Sequence, residues 1–478
     1  MQGIWTTERI REAEGRLFAV TPEGELMRRA SFGLAVRLAE FLAEHTGTVS
    51  GRRVVLLVGS GDNGGDALWA GAFLRRRGVA VTAVLLGSRA HEAGLAALRR
   101  AGGRVVSAED GPQWIVRADV VVDGIVGISA SGSLRPEAAR LVSLVEAPIV
   151  AVDLPSGVDP DTGAVDGPAV RATLTVTFGA RKPVHVLAPT WCGEVVLVDI
   201  GLELGEPSIR QLDIADIAAA WPVPGPEDDK YSQGVVGVAA GSATYPGAAV
   251  LTAGSAVRAT AGMVRYAGHA ADVVRSQWPE VIATGTVADA GRVQAWAVGP
   301  GIGTGSEGRD VVRYVLGRGL PVCADADATT IIAKSPEVLD ARDPDTPLVL
   351  TPHAGEYARL MGAAPGPDRV KAARDAARRY NAVVLLKGYV TVIAAPDGRV
   401  AVNKPHGAWL ATPGSGDVLS GLIGALLAAG VDPWLAAAAA AHVHSLAGAI
   451  AAQNAPTSSS ALVHAIPEAI RAVRSLTS

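Results

Sequence analysis

A glycine-rich segment followed by a carboxylate lies near the carboxyl-terminal end of the chain. Gly414-Ser415-Gly416-Asp417 precedes a long apolar run that is typical of a helix. Backbone amides at a helix start, together with the positive end of the helix dipole, bind anions such as phosphate. Asp417 in the same turn would repel a phosphate unless it acts on a proton, for instance that of an alcohol attacking a phosphoryl group. The pattern predicts a phosphoryl-transfer site with Asp417 as its base, and a plain helix N-cap is the structural alternative.

A second glycine-rich segment lies near the amino-terminal end of the chain. The segment Gly59–Gly64 matches G-x-G-x-x-G between an apolar strand and a helical stretch, which is the setting of a dinucleotide-binding loop. However, Asp62, Asn63 and Asp66 place acceptor oxygens where a diphosphate needs donors, and the next strand ends without the acidic residue that binds ribose. A nicotinamide-dependent dehydrogenase therefore fits poorly. A tight turn with capping carboxylates stays open as the structural interpretation.

Two further strands of the first half end in carboxylates. Asp123 follows the run ADVVV, and Asp153 follows IVAV in the segment Asp153-Leu154-Pro155-Ser156-Gly157. Because the carboxyl ends of parallel strands meet at one crevice, these side chains should lie near the first glycine-rich loop. The side-chain oxygens of Asn63, Asp123 and Ser156 would form a hard site for a cation. Each residue alone could equally cap a strand end or a turn.

Polar residues at strand ends of the second half could complete the phosphoryl-transfer site. His353 follows the run PLVL, and Lys387 lies between two apolar runs of a chain that has only six lysines. A structural role is the alternative for His353, because a lone histidine is more often structural than catalytic, and codon bias is an alternative explanation for the scarcity of lysine. Asp325 and Asp327 could bind Mg²⁺, although a solvated turn is the simpler interpretation.

These residues must be positioned by a regular arrangement of strands and helices. Apolar runs of strand length alternate with helical stretches in both halves, which predicts α/β domains with parallel sheets covered by helices on both faces. Three prolines, Pro222, Pro224 and Pro226, exclude a helix between the halves. We therefore expect domains at 1–215 and 230–478, joined by a proline-rich linker at 216–229. The segments that contain the predicted strands include 53–59, 79–87, 118–127, 147–157, 234–242, 293–303, 320–328, 347–356 and 382–394, the last with 387–391 joining two strands.

Composition narrows the class of protein. A net charge of −4 gives no basic surface for nucleic acid or anionic lipid, and the two cysteines, Cys192 and Cys323, cannot form a disulfide framework. The first residues contain no apolar signal region. The longest apolar stretch, near 418–450, is divided by Pro433 and contains His442 and His444, so a membrane span is not expected. These two histidines are two positions apart on a helix and should face different directions. The sequence favours a cytoplasmic α/β enzyme that binds neither nucleic acid nor membrane.

The motifs of the first half resemble those of the NAD(P)H-hydrate epimerase family. The resemblance spans most of this half and implies a Rossmann-like, three-layer α/β/α domain. It implies a K⁺ site at Asn63, Asp123 and Ser156, and it makes Asp153 the residue that transfers a proton. The positions that it assigns to the hydrated dinucleotide are Asp62, Asn63, Gly64, Gly65, Asp66, Gly127, Ile128, Ser129, Ala130, Ser131, Gly132, Ser133 and Asp153.

The second half resembles the ribokinase-like superfamily through the segment 414–417. Within that superfamily, it is most similar to the ADP-dependent NAD(P)H-hydrate dehydratases, in which the corresponding segments occur in the same order. The resemblance implies a ribokinase-like α/β/α domain that uses Mg²⁺ with ADP. It assigns contacts with the hydrate to Ala248, Gly301, His353 and the catalytic Asp417. It assigns contacts with the nucleotide to Lys387, Gly388, Tyr389, Val390, Thr391 and Gly416.

Together the resemblances imply a two-step repair of hydrated NADH and NADPH (NADHX and NADPHX). The first domain would interconvert the R and S hydrates, and the second would dehydrate the S form while ADP becomes AMP and phosphate. A homo-oligomer with small-molecule partners is also expected. Three other functions remain open from the residues alone: a ribokinase-like small-alcohol kinase, a non-catalytic dinucleotide sensor and the dehydrogenase considered above.

Overall fold

The computed structural model describes residues 1–22, 24–129, 132–260 and 262–475. Its contacts divide the chain into two compact units, Gly3–Ile209 and Arg210–Ser478, with Met1–Gln2 belonging to the second. This division differs from the expected domain end at 215 and linker start at 216. The reason is helix Ile214–Ala220, whose Ile217 and Ala220 are buried in the apolar core of the second unit.

The first unit is built on a seven-stranded parallel sheet. Along strand Arg53–Val58, the side chains of Val54, Leu56 and Val58 enter one apolar core and those of Val55 and Leu57 enter another. A strand that is apolar on both sides must be covered on both faces, and this explains the continuous apolar run in the sequence. In spatial order the strands are Arg104–Ser107, Ala80–Leu85, Arg53–Val58, Val120–Gly124, Ile149–Val152, Leu174–Phe178 and Glu194–Val198.

Helices cover both faces of this sheet. Glu25–Thr46 and Asp62–Arg75 pack into one core, and Pro136–Val142 packs into the other, which gives three α/β/α layers. The helices of the unit are Thr7–Phe18, Glu25–Thr46, Asp62–Arg75, Glu92–Arg100, Pro112–Ile115, Pro136–Val142, Pro183–Leu187 and Pro189–Cys192. The strand order reverses between Arg53–Val58 and Val120–Gly124. Such a reversal opens a crevice at the carboxyl ends of the strands, where ligands bind in α/β proteins.

The second unit has a larger mixed sheet. Strand Val235–Ala239 lies between Met263–Ala267 and Ala295–Val298, so the strand order reverses here as well. Strand Val392–Ala394 pairs antiparallel with both of its neighbours, and the other pairings that are defined by register are parallel. The remaining strands of the unit are Ile282–Thr284, Val322–Ala324, Leu348–Leu350, Val383–Leu386 and Val400–Val402. Short strands also occur at Gln2–Ile4 and Ile209–Gln211.

Alanine-rich helices pack closely in the core of this unit. Pro433–Ala452 is the one helix in the described ranges that is long and apolar enough to cross a membrane, but 72% of its apolar window is buried within the protein. It shares its core with Pro246–Ala259, Ser415–Ala428 and Ser459–Ser475. The other helices are Ile214–Ala220, Ala271–Gln277, Ser306–Leu316, Asp327–Lys334, Ala354–Met361 and Arg369–Tyr380, with short 3₁₀ turns at Val287–Asp289 and Pro336–Ala341.

Candidate active sites

The crevice of the first unit holds a cavity of about 670 Å³. Of the residues assigned to the hydrated dinucleotide, those that line it are Asp62, Asn63, Asp66, Gly127, Ile128, Ser129 and Asp153. In the described part of the chain, Gly64, Gly65, Gly132 and Ser133 do not line it, and Ala130 and Ser131 lie outside the described residues. Gly64 permits a close approach of the chain, because a Cβ there would lie 2.3 Å from the Gly59 carbonyl oxygen.

Of the three residues expected to bind a cation, Asn63 lines this cavity, whereas Asp123 and Ser156 are fully buried and bond to each other. The Ser156 backbone N–H and Oγ donate to the two oxygens of Asp123, at 2.8 and 2.7 Å. Asn63 Nδ2 donates to the carbonyl oxygens of Val126 and Val152, at 3.0 and 2.6 Å. Asp123 is fully buried, and this burial raises its pKa to about 6 despite the hydrogen bonds. A buried carboxylate without a cationic partner is costly, and a bound cation would relieve that cost.

Asp153 is held by a buried network that the sequence analysis did not identify. Lys182 Nζ lies 2.6 Å from Asp153 Oδ1, and Thr177 Oγ1 donates to the same oxygen at 2.9 Å. The ring of His185 lies 2.8 Å from the Asp153 carbonyl oxygen, and burial, assisted by the Lys182 ammonium, lowers the pKa of this histidine to about 3. Asp153 has φ of 69°, a left-handed conformation that aspartate tolerates better than most residues. The network holds one oxygen of the Asp153 carboxylate against the ammonium group of Lys182.

Lys182 carries a signal that could have identified it. In the sequence, it is one of six lysines and follows the apolar run of strand Leu174–Phe178. In the structure, its side chain is only 2% exposed. A lysine so buried requires an anionic partner. The identity of that partner, 29 positions away, is not contained in the local pattern.

Asp66 is a predicted substrate-binding residue, and its hydrogen-bond partner is also distant in sequence. The Oγ of Ser31 donates to Asp66 at 2.8 Å. Burial raises the pKa of Asp66 well above its ordinary value.

In the second unit, the 414–417 segment opens helix Ser415–Ala428 as predicted. Gly414 has φ of 85°, and within the described ranges no side chain caps the helix start, which leaves its first amides available to a ligand. Asp417 lies in the first turn and is partly buried. Burial, and then the negative charge of Asp325, raise the pKa of Asp417 to about 7. A carboxyl group with this pKa is suited to accept a proton near neutral pH.

Asp325 and Lys387 form an ion pair beside Asp417. Lys387 Nζ lies 2.6 Å from Asp325 Oδ1, Ser420 Oγ donates to Asp325 Oδ2 at 2.8 Å, and Glu356 Oε2 is 3.8 Å from Nζ. The expectation that Asp325 belongs to a solvated turn is wrong, because it is 1% exposed. Burial alone would raise the pKa of Asp325, but the Lys387 charge and the hydrogen bonds outweigh this and lower it.

The structure brings some of the residues with predicted roles together. A Cβ on Gly416 would lie 3.4 Å from Lys387 Nζ, so the helix start and the lysine are adjacent. A Cβ on Gly301, whose φ is 66°, would lie 3.0 Å from that of Ala248. Gly301 and Ala248, both assigned to the hydrate, are therefore neighbours. Gly388, Tyr389, Val390 and Thr391 form the connection between strands Val383–Leu386 and Val392–Ala394, as predicted.

Histidines of this unit have structural contacts. His353 is the N-cap of helix Ala354–Met361: its Nδ1 accepts from the Gly355 N–H at 2.9 Å, and its own N–H donates to Glu356 at 2.9 Å. Its Nε2 lies 3.5 Å from Glu356 Oε1, and the side chain remains half exposed. His444 lies 2.8 Å from the Ser415 carbonyl oxygen, whereas His442 packs against another histidine, so the two face different directions as predicted.

No described residues form a group of three or more His, Cys, Asp or Glu side chains that could hold a metal ion. Asp325, one of the two residues considered for Mg²⁺, is paired with Lys387. Among the three residues expected to bind K⁺, Asp123 is the one carboxylate.

Comparisons with known proteins agree with both halves of the chain. The model of the NAD(P)H-hydrate dehydratase family matches residues 236–471, and that of the YjeF-related protein N-terminus family matches 23–184. The bifunctional NAD(P)H-hydrate repair enzyme Nnr of Mycobacterium tuberculosis is 57% identical over 442 residues, or 92% of each chain. The enzyme of the same name from Mycobacterium leprae is 54% identical and covers 99% of this chain and 100% of its own.

Solved structures resemble the second unit. The ADP/ATP-dependent NAD(P)H-hydrate dehydratase of Bacillus subtilis, co-crystallised with ATP and Mg²⁺, is 27% identical with a TM-score of 0.50, over 55% of this chain and 98% of its own. A ribokinase-like superfamily protein of Enterococcus faecalis, 20% identical with a TM-score of 0.51, covers 57% of this chain and 98% of its own, and it supports the fold alone. The predicted fold and family resemblances are confirmed. The chain belongs to the family of bifunctional NAD(P)H-hydrate repair enzymes.

Proposed function

We propose that this chain restores hydrated NADH and NADPH, with epimerisation in the first unit and ADP-dependent dehydration in the second. The observation that carries the proposal is Asp417, a carboxyl group with a pKa of about 7 in the first turn of an uncapped helix. A loop that only binds phosphate does not require a carboxyl group that takes up a proton near neutral pH. A base that must take a proton from a substrate hydroxyl beside a phosphate does need it.

In the dehydratase site, Asp417 takes the proton of the C6 hydroxyl of the S hydrate as that oxygen attacks the β-phosphorus of ADP. AMP leaves, and the amides of the segment 414–416 stabilise the charge on the transferred group. The ring nitrogen then expels phosphate from C6, and loss of a C5 proton restores the dihydronicotinamide. Lys387 supports the nucleotide through its ammonium, together with Gly388, Tyr389, Val390, Thr391 and Gly416, while Ala248, Gly301 and His353 contact the hydrate.

Mg²⁺ bound with ADP would neutralise part of the phosphate charge. The Bacillus subtilis relative was crystallised with ATP and Mg²⁺ and is described as ADP/ATP-dependent, which supports a magnesium–nucleotide complex for this chain. We propose ADP as its phosphoryl donor. In the protein, Lys387 places an ammonium group beside the helix start, and the carboxylate of Asp325 balances its charge.

In the epimerase site, Asp153 is the group that moves a proton near C6 of the hydrate. Lys182 and Thr177 both bind one oxygen of Asp153, which fixes the orientation of the carboxyl group and therefore the position of its other oxygen. K⁺ would be held by the oxygens of Asn63, Asp123 and Ser156, where it would balance a buried charge and fix the loops that bind substrate. The surrounding positions, Asp62, Asp66, Gly127, Ile128 and Ser129, line the cavity for the dinucleotide.

A direct test uses a mixture of the R and S hydrates with either ADP or ATP, followed by the recovery of dihydronicotinamide absorbance. We expect full recovery with ADP, and loss of dehydration in Asp417→Asn while R and S still interconvert. A stable phosphorylated product would indicate the small-alcohol kinase, and binding without turnover would indicate the sensor. Wild-type rates in Asp417→Asn would refute its role as the base.

We also propose that the enzyme is a cytoplasmic homo-oligomer with small-molecule partners. Light scattering coupled to size-exclusion chromatography measures the number of copies, and a monomer at all concentrations would contradict this part of the proposal.

A further inference from the structure

The first helix of the chain forms one wall of the cavity that contains Asp153. Helix Thr7–Phe18 contributes Glu14 and Phe18 to the lining, while its Ile10 and Ala13 are buried. The helix is anchored at its start, because the Thr7 backbone N–H and Oγ1 donate to the two oxygens of Asp161 at 2.9 and 2.6 Å. Glu14 therefore stands at a fixed position on the cavity wall.

Among the residues that the structure describes, the carboxyl group of Glu14 has no structural partner that explains its position. Within the described ranges it makes no hydrogen bond and no ion pair, although it is half-buried. Burial raises the pKa of Glu14; the charge of Lys182 opposes this effect, and the charges of Asp153 and Asp62 add to it. Of the four carboxyl groups that line the cavity, Asp62, Asp66, Asp153 and Glu14, Asp153 is paired with an ammonium and Asp66 accepts a hydrogen bond from Ser31. Glu14 is half-buried without such a contact in the described part of the chain, whereas Asp62 is exposed.

A neighbouring arginine links the same helix to the substrate loop. Arg11, one turn before Glu14, donates from Nη2 to the Ile128 carbonyl oxygen at 2.7 Å and lies 3.5 Å from Ser129 Oγ. The loop that contains Ile128 and Ser129 lines the cavity together with Glu14. The helix therefore belongs to the site.

We propose that Glu14 is a second catalytic residue of the epimerase site and exchanges a proton with the substrate at a different atom from Asp153. This inference rests on the proposed epimerase function. Carbon C6 of the hydrate carries both a hydroxyl group and the ring nitrogen N1, so it is a hemiaminal carbon. Asp153 takes the hydroxyl proton, the C6–N1 bond breaks, C6 becomes a carbonyl carbon, and the electron pair of the broken bond passes to N1, which receives a proton from Glu14.

Rotation about the C5–C6 bond then presents the opposite face of the carbonyl carbon to N1. Glu14 takes back the N1 proton as N1 attacks C6, and Asp153 returns its proton to the oxygen. Both residues regain their starting states, and no oxidant or other reactant is consumed. Two groups suit this reaction because the proton leaves an oxygen and arrives at a nitrogen, and one acid and one base can act on these atoms together.

The test compares Glu14→Gln with Glu12→Gln in the full chain. Glu12 lies on the same helix, but it is exposed and pairs with Arg9. Purified R hydrate without ADP is converted towards equilibrium with the S hydrate, which is followed by chromatography, so dehydration does not intervene. We expect Glu14→Gln to lower kcat for epimerisation by about 10²-fold or more with little change in KM. Glu12→Gln should match the wild type, and Glu14→Asp should retain part of the activity.

Dehydration of purified S hydrate with ADP checks that each variant is folded and should stay unchanged. A kcat in Glu14→Gln within about threefold of wild type, or a change confined to KM, would overturn the inference. Absence of epimerisation in the wild-type enzyme would instead refute the proposed function of the first unit, so the two failures are distinguishable.

Discussion

Asp417→Asn should make the protein more stable at neutral and alkaline pH while it removes dehydration. The raised pKa of Asp417 means that the folded state holds this carboxyl proton more tightly than the unfolded state does. As the pH rises through the window from 3.8 to about 7, the unfolded chain ionises first, and the folded state progressively loses stability. Above this window the full cost of a charged Asp417 is present. Asparagine has the same shape and no charge, so the variant avoids that cost.

The magnitude follows from the displacement of the pKa. A change from 3.8 to about 7 corresponds to an upper limit of about 4 kcal/mol in the free energy of unfolding. Asp417 is not fully buried, and water and structural relaxation reduce the effect, so we expect about 1–3 kcal/mol. For a unit of this size, each kcal/mol moves the unfolding midpoint by about 2–4 °C.

Calorimetric unfolding of the full chain at several pH values measures this effect. The midpoint of one transition should rise in Asp417→Asn above neutral pH, and the difference from wild type should shrink as the pH falls towards the lower end of the window. Asp310→Asn, an exposed residue of the same unit, is the matched control and should show no such trend. Equal stability of the two proteins at alkaline pH, or a difference that does not depend on pH, would refute the electrostatic account of Asp417.

Three further predictions follow from the two sites. Lys182→Met should leave the Asp153 carboxylate buried without the Lys182 ammonium, which lowers the free energy of unfolding by about 3–5 kcal/mol. The same variant should lose epimerisation in an R-to-S conversion assay, and unchanged epimerisation would contradict the assigned pair. Ser420→Ala should cost about 1–3 kcal/mol by urea denaturation, since Asp325 Oδ2 loses its donor, and a neutral effect would show that water replaces the hydroxyl. The dehydration rate with saturating S hydrate and ADP should fall as the pH drops below about 7, because the base Asp417 becomes protonated, whereas a flat acidic limb would exclude it as the base.

Local patterns predicted the strands and the residues at their ends. Asp123 and Asp153 follow apolar runs, and parallel sheets place such ends at one crevice, so their proximity to Asn63 followed from topology. The glycine-rich segment at 414–417 likewise predicted a helix start. These features depend on neighbours in sequence and on rules of strand connection, both of which can be deduced from a single chain.

The charge partners could not be predicted in the same way. Lys182 contacts Asp153 over 29 positions, and Lys387 contacts Asp325 over 62. Which lysine meets which carboxylate depends on the angles of loops, and no local period encodes those angles. The segment 216–220 shows another limit: the prolines that follow suggested a linker, but burial of Ile217 beside the second sheet holds this stretch as a helix.

The left-handed backbone at Asp153 restricts what evolution can place there. At φ of 69°, most side chains other than those of glycine, asparagine and aspartate would strain the chain by about 1–2 kcal/mol. Among the tolerated residues, only aspartate supplies a charge for Lys182. Two independent demands, one on the shape of the main chain and one on the chemistry of the side chain, thus select the same amino acid. A lineage that loses the reaction can drift first to asparagine or glycine, and such a replacement would mark the loss of epimerase activity in a sequence that otherwise keeps the fold.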